Sequence, residues 1–498
     1  MESGERAFSF LERALFYTRH WEERGKGMEA DTISAIATAQ GAGGIGIVRI
    51  SGARALAVAD AIFRPLSGCS LMDAESHHAI YGRVEGANGR TIDEALALVM
   101  RAPHSYTRED VVELQCHGGA AILRRVLART WEQGARPAER GEFTKRAFLN
   151  GRLDLAQAEA VMAVIEARSD RALAMAEGHL AGHFSTRIRD MRQTLLSMTA
   201  HIEAAIDFPE DEVDDVLEAD LERNVVDLIN HILDLLATAN TGRILREGLM
   251  TAIVGKPNVG KSSLLNALLR EERAIVTDIP GTTRDAIEEY ADIGGVPLRI
   301  IDTAGIREAA NRVEQIGVER ARAYVSEAAL VLALFDSSRA LTEEDEAIFS
   351  LLAGKETIFL LTKSDLPAVT DREALLAKAR ACGVQGEIEI VAIAAQRDAQ
   401  GADSSGLAAL AAAIARRAYR GAAEGEEAGF VADARQADVL RCAKEHLQGA
   451  LLTLEQGTGL DFVSIDLRAA WEKLGELTGE TIGTDILDEI FSKFCIGK

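Results

Sequence analysis

The sequence predicts a multidomain chain: a small α+β domain, a discontinuous all-α helical domain after it, and an α/β phosphate-loop (P-loop) domain inserted into the helical one. Three observations predict it. The 498 residues exceed what a single hydrophobic core organises and divide into about three units. The apolar pattern changes from short runs of strand length to helical spacing, and returns to helical spacing after a second α/β stretch. A strand-like run, Thr251 to Val254, leads directly into Gly255-Lys-Pro-Asn-Val-Gly-Lys-Ser262, which satisfies G-x-x-x-x-G-K-[ST].

The expected boundaries are residues 28–145 for the α+β domain, 146–247 with 422–498 for the helical domain, and 248–421 for the insertion. Residues 1–27 carry charges throughout and lack the apolar core of a secretory signal; they read as a frayed extension, with Met28 as an alternative start. In the first domain the runs Ile45 to Ile50, Ala95 to Met100 and Val111 to Leu114 are broken by glycines and by Pro103. From Asp154 the apolar residues Leu155, Ala158, Met162 and Ile165 recur at helical steps to about Ile206, and a second helical stretch reaches about Leu245. After Gly429 the period is helical again (Val439, Leu440, Ala443, Leu447, then Leu467, Trp471, Leu474, Leu477). About 70 residues form a small core, so this segment is expected to pack on the earlier helices.

Composition excludes several function classes. An apolar fraction of 47% with 27% charged residues is ordinary for a globular protein, and no uninterrupted apolar run is long enough to span a membrane. The five cysteines, Cys69, Cys116, Cys382, Cys442 and Cys495, are scattered without a Cys-x-x-Cys pair, which points to the reducing cytoplasm. A net charge of −23 argues against a broad nucleic-acid-binding surface. A local basic patch stays open, built from Arg124, Arg125, Arg129, Arg136, Arg140, Lys145, Arg146 and Arg152; the alternative is a solvated helix face.

The inserted domain carries the clearest chemistry. Glycines in the 255–262 loop let successive N–H groups face phosphates at a helix N-terminus. Lys261 then neutralises the β and γ phosphates and the Ser262 hydroxyl ligates Mg²⁺. Downstream, Pro280-Gly281-Thr282-Thr283 and Asp302-Thr303-Ala304-Gly305 supply what a nucleotide switch needs: Thr283 for the Mg²⁺ shell, Asp302 to orient it and the Gly305 N–H for the γ phosphate. Two further buried strands lead to Thr362-Lys363-Ser364-Asp365, where the Asp365 carboxylate selects guanine through its N1–H and 2-amino group. The order of loops is that of Ras-like GTPases.

Two positions depart from that pattern. Thr362 stands where an asparagine usually ties the base loop to the phosphate loop, so the tie is expected to be missing and affinity modest. The second base loop reads Ala394-Ala395-Gln396, which offers a backbone N–H to the guanine oxygen and little else. The residue after Gly305 is Ile306, which cannot orient a water, leaving Arg307, Glu308 and Glu314 as candidates.

Several rare strings resemble one family, the tRNA-modification GTPases called MnmE or TrmE, over nearly all of residues 28–498. They are Gly43-Gly-Ile-Gly-Ile-Val-Arg-Ile-Ser-Gly52, Glu109-Asp-Val-Val-Glu-Leu-Gln115 with His117-Gly-Gly119, Gly141-Glu-Phe-Thr-Lys-Arg-Ala-Phe-Leu-Asn150, Leu153-Asp-Leu-Ala-Gln-Ala-Glu159 and Phe494-Cys-Ile-Gly-Lys498. The resemblance implies that Glu314 organises the attacking water and that K⁺ is held by Asn258 with oxygens of Thr277, Ile279 and Thr282. It also implies nucleotide contacts from Val259, Gly260, Ser263 and Asp278 beside the residues above.

For the first domain, the resemblance implies dimerisation and binding of a tetrahydrofolate, 5,10-methylene or 5-formyl, through Arg49, Glu113, Arg152 and Lys498. On charge alone, Arg49 and Glu113 read equally well as a structural ion pair. Gly41-Ala-Gly-Gly-Ile-Gly46 fits G-x-G-x-x-G, but a strand pattern follows where a dinucleotide site needs a helix. Cys495 reads as a partly buried inert thiol or a reactive one.

The implied activity is that of a cytoplasmic homodimer that hydrolyses GTP and, in a heterotetramer with the FAD-bearing partner MnmG (GidA), adds an aminomethyl or carboxymethylaminomethyl group at C5 of the tRNA wobble uridine. The alternatives are a ribosome-assembly GTPase, disfavoured by a single phosphate loop and no Gly-x-x-Gly clamp, and a folate-responsive regulatory GTPase that modifies nothing.

Overall fold

The computed structural model describes residues 31–39, 41, 43–207, 215–271, 289–301, 316–394, 406–419, 429–457 and 459–498. The chain forms two compact units. One comprises Met1–Met162, His179–Ile232 and Asp438–Lys498, and the other Ala163–Gly178 and Leu233–Ala437.

The first unit holds a seven-stranded sheet in the order β3-β4-β5-β6-β2-β1-β7. Its strands are β1 (Ile33–Ile36), β2 (Ile45–Ser51), β3 (Phe63–Pro65), β4 (His78–Glu85), β5 (Thr91–Met100), β6 (Val111–His117) and β7 (Arg136–Pro137). All adjacent pairs are antiparallel except β1 with β7. One face is covered by helices Ala55–Ile62 and Ala120–Glu132, burying Val48, Ile50, Ala97, Val99, Val112 and Leu114. The alternate residues, Arg49 and Glu113 among them, point to the other face, because successive strand side chains alternate. The three expected strands are present, and residues 45–51 form a strand directly after the glycines, against a dinucleotide fingerprint.

The helical period read from Asp154 resolves into helices Leu155–Glu166, Asp170–Leu180 and His183–Asp207. Leu155, Ala158 and Met162 are buried as expected, whereas Ile165 is exposed in the last turn of its helix. The C-terminal segment gives helices Ala434–Gln456, Leu460–Thr478 and Thr484–Ser492. Helix 460–478 packs on helix 183–207, held by Arg192 Nε donating to the Trp471 carbonyl and by ion pairs Arg192–Glu480 and Arg468–Glu203. The helical domain is therefore discontinuous in sequence.

The second unit is built on a six-stranded sheet, order β13-β12-β11-β8-β10-β9. The strands are β8 (Leu249–Val254), β9 (Glu289–Ile293), β10 (Val296–Ile300), β11 (Leu330–Asp336), β12 (Thr357–Thr362) and β13 (Glu389–Ala392). Only the β9–β10 pair is antiparallel; the parallel strands are apolar along their length because helices cover both faces. Where the chain enters and leaves the sheet, helix Ala239–Glu247 lies against residues 429–433. A Cβ on Gly242 would stand 1.9 Å from the Val431 carbonyl oxygen, so only glycine permits this approach; the Val431 N–H donates to Thr238 Oγ1 and Arg246 pairs with Asp433. Among the described residues, no helix is long and apolar enough to cross a membrane.

Of the residues left open as a basic patch, most are paired with carboxylates or carbonyls. Arg146, 1% exposed, is enclosed by Asp31, Glu109 and Glu142, and Arg136 pairs with the same Asp31 and Glu142. Arg129 pairs with Glu132, Lys145 with Asp488, Arg140 donates to the Phe494 carbonyl, and Arg152 to that of Ser105. Arg124 and Arg125 stand out on the exposed face of their helix, and Arg140 and Arg152 are exposed although each donates to a backbone carbonyl.

Candidate functional site

Two constellations emerge. The first lies at the C-terminal end of β8, the sheet's central switch point, where β10 departs on one side and β11 on the other. The loop from Gly255 leads into helix Lys261–Glu271, and Asn258 and Gly260 hold φ of 60° and 112°, the left-handed region that curls a loop around a small anion. Lys261 Nζ donates to the carbonyls of Gly255 at 2.6 Å and Lys256 at 3.0 Å. Burial lowers the pKa of its ammonium. A desolvated cation aimed into its own loop fits a polyphosphate, and Ser262 and Ser263 follow it on the exposed start of the helix.

The base loop is tied to this one, contrary to expectation. The Thr362 hydroxyl, on a residue 6% exposed, lies 2.7 Å from the Val259 carbonyl and 3.1 Å from that of Phe335, so a threonine bridges from the end of β12 into the phosphate loop. The hydroxyl replaces the amide because β12 runs close enough to Val259 for a two-bond side chain to reach. Lys363 has φ 58° and its ammonium sits 2.6 Å from Asp336 Oδ2 at the end of β11. Burial raises the pKa of Asp336, but Lys363 and the two donors of Ser338 outweigh it and leave the carboxyl below its ordinary value. The Ser364 N–H donates to the Ile393 carbonyl, bringing exposed Asp365 beside Ala394. Thr277, Asp278, Ile279, Pro280, Gly281, Thr282, Thr283, Asp302, Thr303, Ala304, Gly305, Glu314, Ala395 and Gln396 lie outside the described residues, as do Arg307 and Glu308.

The second constellation is on the open face of the first sheet. Arg49 and Glu113, opposite each other on β2 and β6, pair at 2.8 Å. The C-terminal tail runs in beside them: Arg140 bridges to Ile496, the Phe143 N–H donates to the Lys498 carbonyl, and Arg49 Nη1 reaches the Gly497 carbonyl at 3.4 Å. Gly497, with φ 93°, passes so near Ile36 that a Cβ would lie 2.3 Å from its carbonyl oxygen. Lys498 therefore joins Arg49 and Glu113, although 448 positions separate Arg49 from Gly497, the residue before it. Its pKa is lowered by burial and then by the charge of Arg49.

Tyr106 completes the group, with Arg49 at 5.6 Å and Arg152 at 4.9 Å from its ring centre. It was not foreseen, since one tyrosine in a loop after Pro103 carries no pattern. Two arginines over one aromatic ring, with a lysine beside the Arg49–Glu113 pair, could receive a flat heterocycle that ends in carboxylates. Cys495 is exposed rather than partly buried.

Comparison with known proteins identifies the family. The family profile for the MnmE helical domain matches residues 155–495, and that for the N-terminus of the GTP-binding protein TrmE matches residues 32–152. The tRNA modification GTPase MnmE of Heliobacterium modesticaldum is 48% identical over 95% of this chain and 100% of its own length. Those of Symbiobacterium thermophilum (50%, 95% and 100%) and Alkaliphilus metalliredigens (46%, 94% and 99%) are similarly close. With the phosphate loop, the discontinuous helical domain and these matches together, the chain belongs to the MnmE family of tRNA modification GTPases.

Proposed function

We propose that this protein binds GTP with Mg²⁺ in the cytoplasm and hydrolyses it during modification of tRNA at C5 of the wobble uridine. It acts as a homodimer and in a heterotetramer with a flavoprotein partner of the MnmG type. The observation that carries the reading is the loop of Gly255 to Ser262 with its desolvated Lys261, joined through Thr362 to a base loop ending in Asp365.

Lys261 neutralises the β and γ phosphates, and Asp365 accepts from the guanine edge that adenine lacks. Ser262 and Thr283 hold Mg²⁺, while Asn258, Thr277, Ile279 and Thr282 hold K⁺; when bound, both cations supply positive charge beside the β and γ phosphates. Glu314 orients the attacking water, the task that Ile306 cannot perform. In the other constellation Glu113 accepts from a pterin, Tyr106 offers its ring face, and Arg49, Arg152 and Lys498 meet the carboxylates. Bound tetrahydrofolate carries the one-carbon unit, and FAD belongs to the partner.

Nucleoside digests of tRNA from a deletion strain test this reading. Loss of the aminomethyl-type wobble uridine, restored by the wild-type gene and not by Lys261→Ala, supports it. An unchanged nucleoside profile overturns it in favour of a regulatory GTPase.

A further inference from the structure

The phosphate and base loops each send a lysine to a carboxylate at opposite ends of one short segment. That segment leaves β11 at Asp336 and enters helix Glu343–Leu351. At its first end, Asp336 is 3% exposed and accepts from Ser338 N and Oγ through Oδ1, while Oδ2 receives Lys363 of the base loop at 2.6 Å. At its far end, Asp345 is fully buried. Its Oδ2 accepts from Thr342 N and Oγ1, each at 2.9 Å, and from Lys256 of the phosphate loop at 2.8 Å. Asp345 Oδ1 is buried without a hydrogen-bond partner among the described residues.

A helix cap alone does not need this arrangement. Capping boxes are satisfied at the surface, where water completes the carboxylate, whereas a dehydrated carboxylate is costly unless a cation faces it. Here each cation comes from a different nucleotide loop. Lys256 in turn presents its carbonyl to Lys261 Nζ at 3.0 Å, so Asp345 acts on the phosphate-facing lysine through one intermediary. Between the two carboxylates, Ser337 adds its N–H to the Thr362 carbonyl and its hydroxyl to that of Lys363.

We infer that residues 336–345 brace the two loops against each other, with Asp345 a positioning residue for the phosphate loop and Asp336 for the base loop. The brace fixes the separation between the guanine end and the phosphate end of the site, so loosening either carboxylate speeds nucleotide release. This inference rests on the reading of residues 255–262 and 362–365 as a GTP site.

The test is release of a fluorescent GDP analogue from the full chain, with KM and kcat for GTP measured alongside. Asp345→Asn keeps an oxygen for the Thr342 cap but removes the charge, and Lys256→Met keeps the stem and removes the ammonium. Each is expected to release nucleotide about tenfold faster, the loss of one charge-assisted hydrogen bond. The double variant should be no faster than the faster single, and KM should rise by more than kcat falls. Asp336→Asn should likewise speed release.

Wild-type release from both single variants, with only the melting temperature lowered, overturns the brace and leaves a structural cap. If Asp345→Asn fails to fold, Lys256→Met decides, because its side chain is partly exposed and its loss leaves the cap intact. A wild-type chain that retains no guanine nucleotide overturns the GTP reading and the brace with it.

Discussion

Replacing Thr362 by valine removes one hydroxyl at nearly constant shape, and so isolates the tie between base loop and phosphate loop. The bond it deletes, 2.7 Å to the Val259 carbonyl, joins two residues that are 6% and 1% exposed. Water cannot readily take its place, and withdrawing a donor from a buried carbonyl costs about 1–3 kcal/mol. The tie belongs to the fold as well as to the site, so part of that cost falls on stability and part on binding. If half falls on stability, at about 2–4 °C per kcal/mol for a unit of this size, the melting temperature should fall by roughly 1–6 °C. The other half should weaken GDP binding by about two- to tenfold. Thr362→Asn, which restores a side chain able to donate, should stay within about threefold of wild type. Differential scanning fluorimetry and fluorescent GDP titration measure both quantities. A valine variant with wild-type melting and wild-type affinity refutes the tie.

Three further outcomes follow from single contacts. Burial depresses the Lys261 pKa in the loop as it stands, and a polyphosphate beside it raises the value. Between the two values binding takes up a proton, so GTP affinity should fall as pH rises toward the lysine range. Calorimetry in buffers of different ionisation heat should show that uptake, and no buffer dependence there contradicts it. Lys498→Met should weaken 5-formyl-tetrahydrofolate by about tenfold in equilibrium dialysis, through loss of a charge-assisted contact; unchanged affinity removes the tail from the site. Gly242→Ala should lower the melting temperature by several degrees, because a Cβ 1.9 Å from the Val431 oxygen forces the two connections apart at about 1–3 kcal/mol. An unchanged melt contradicts that approach.

What the sequence made legible was what local pattern encodes. The phosphate loop could be read because strand, glycines, lysine and helix lie within about fifteen consecutive residues. The strands at 45–51 and 111–117 announced themselves by apolar runs between glycines. Side-chain surroundings were less visible. Arginines at helical spacing left a solvated face and a basic patch both open, yet Asp31, Glu109 and Glu142 approach Arg146 from three separate segments and bury it. Thr362 looked like a lost tie because residue type was compared without the distance, and the close approach of Val259 lets a hydroxyl serve. Tyr106 beside Arg49 and Arg152 is a meeting of loop and sheet that no periodicity records.

The proposed cation activation, with Glu314 orienting the attacking water, is decided by GTP turnover of the purified protein at equal ionic strength in KCl and in NaCl, with Glu314→Ala alongside. K⁺ should stimulate turnover strongly, and the alanine variant should lose that stimulation. Equal rates in the two salts, or an alanine variant as fast as wild type in KCl, would contradict it.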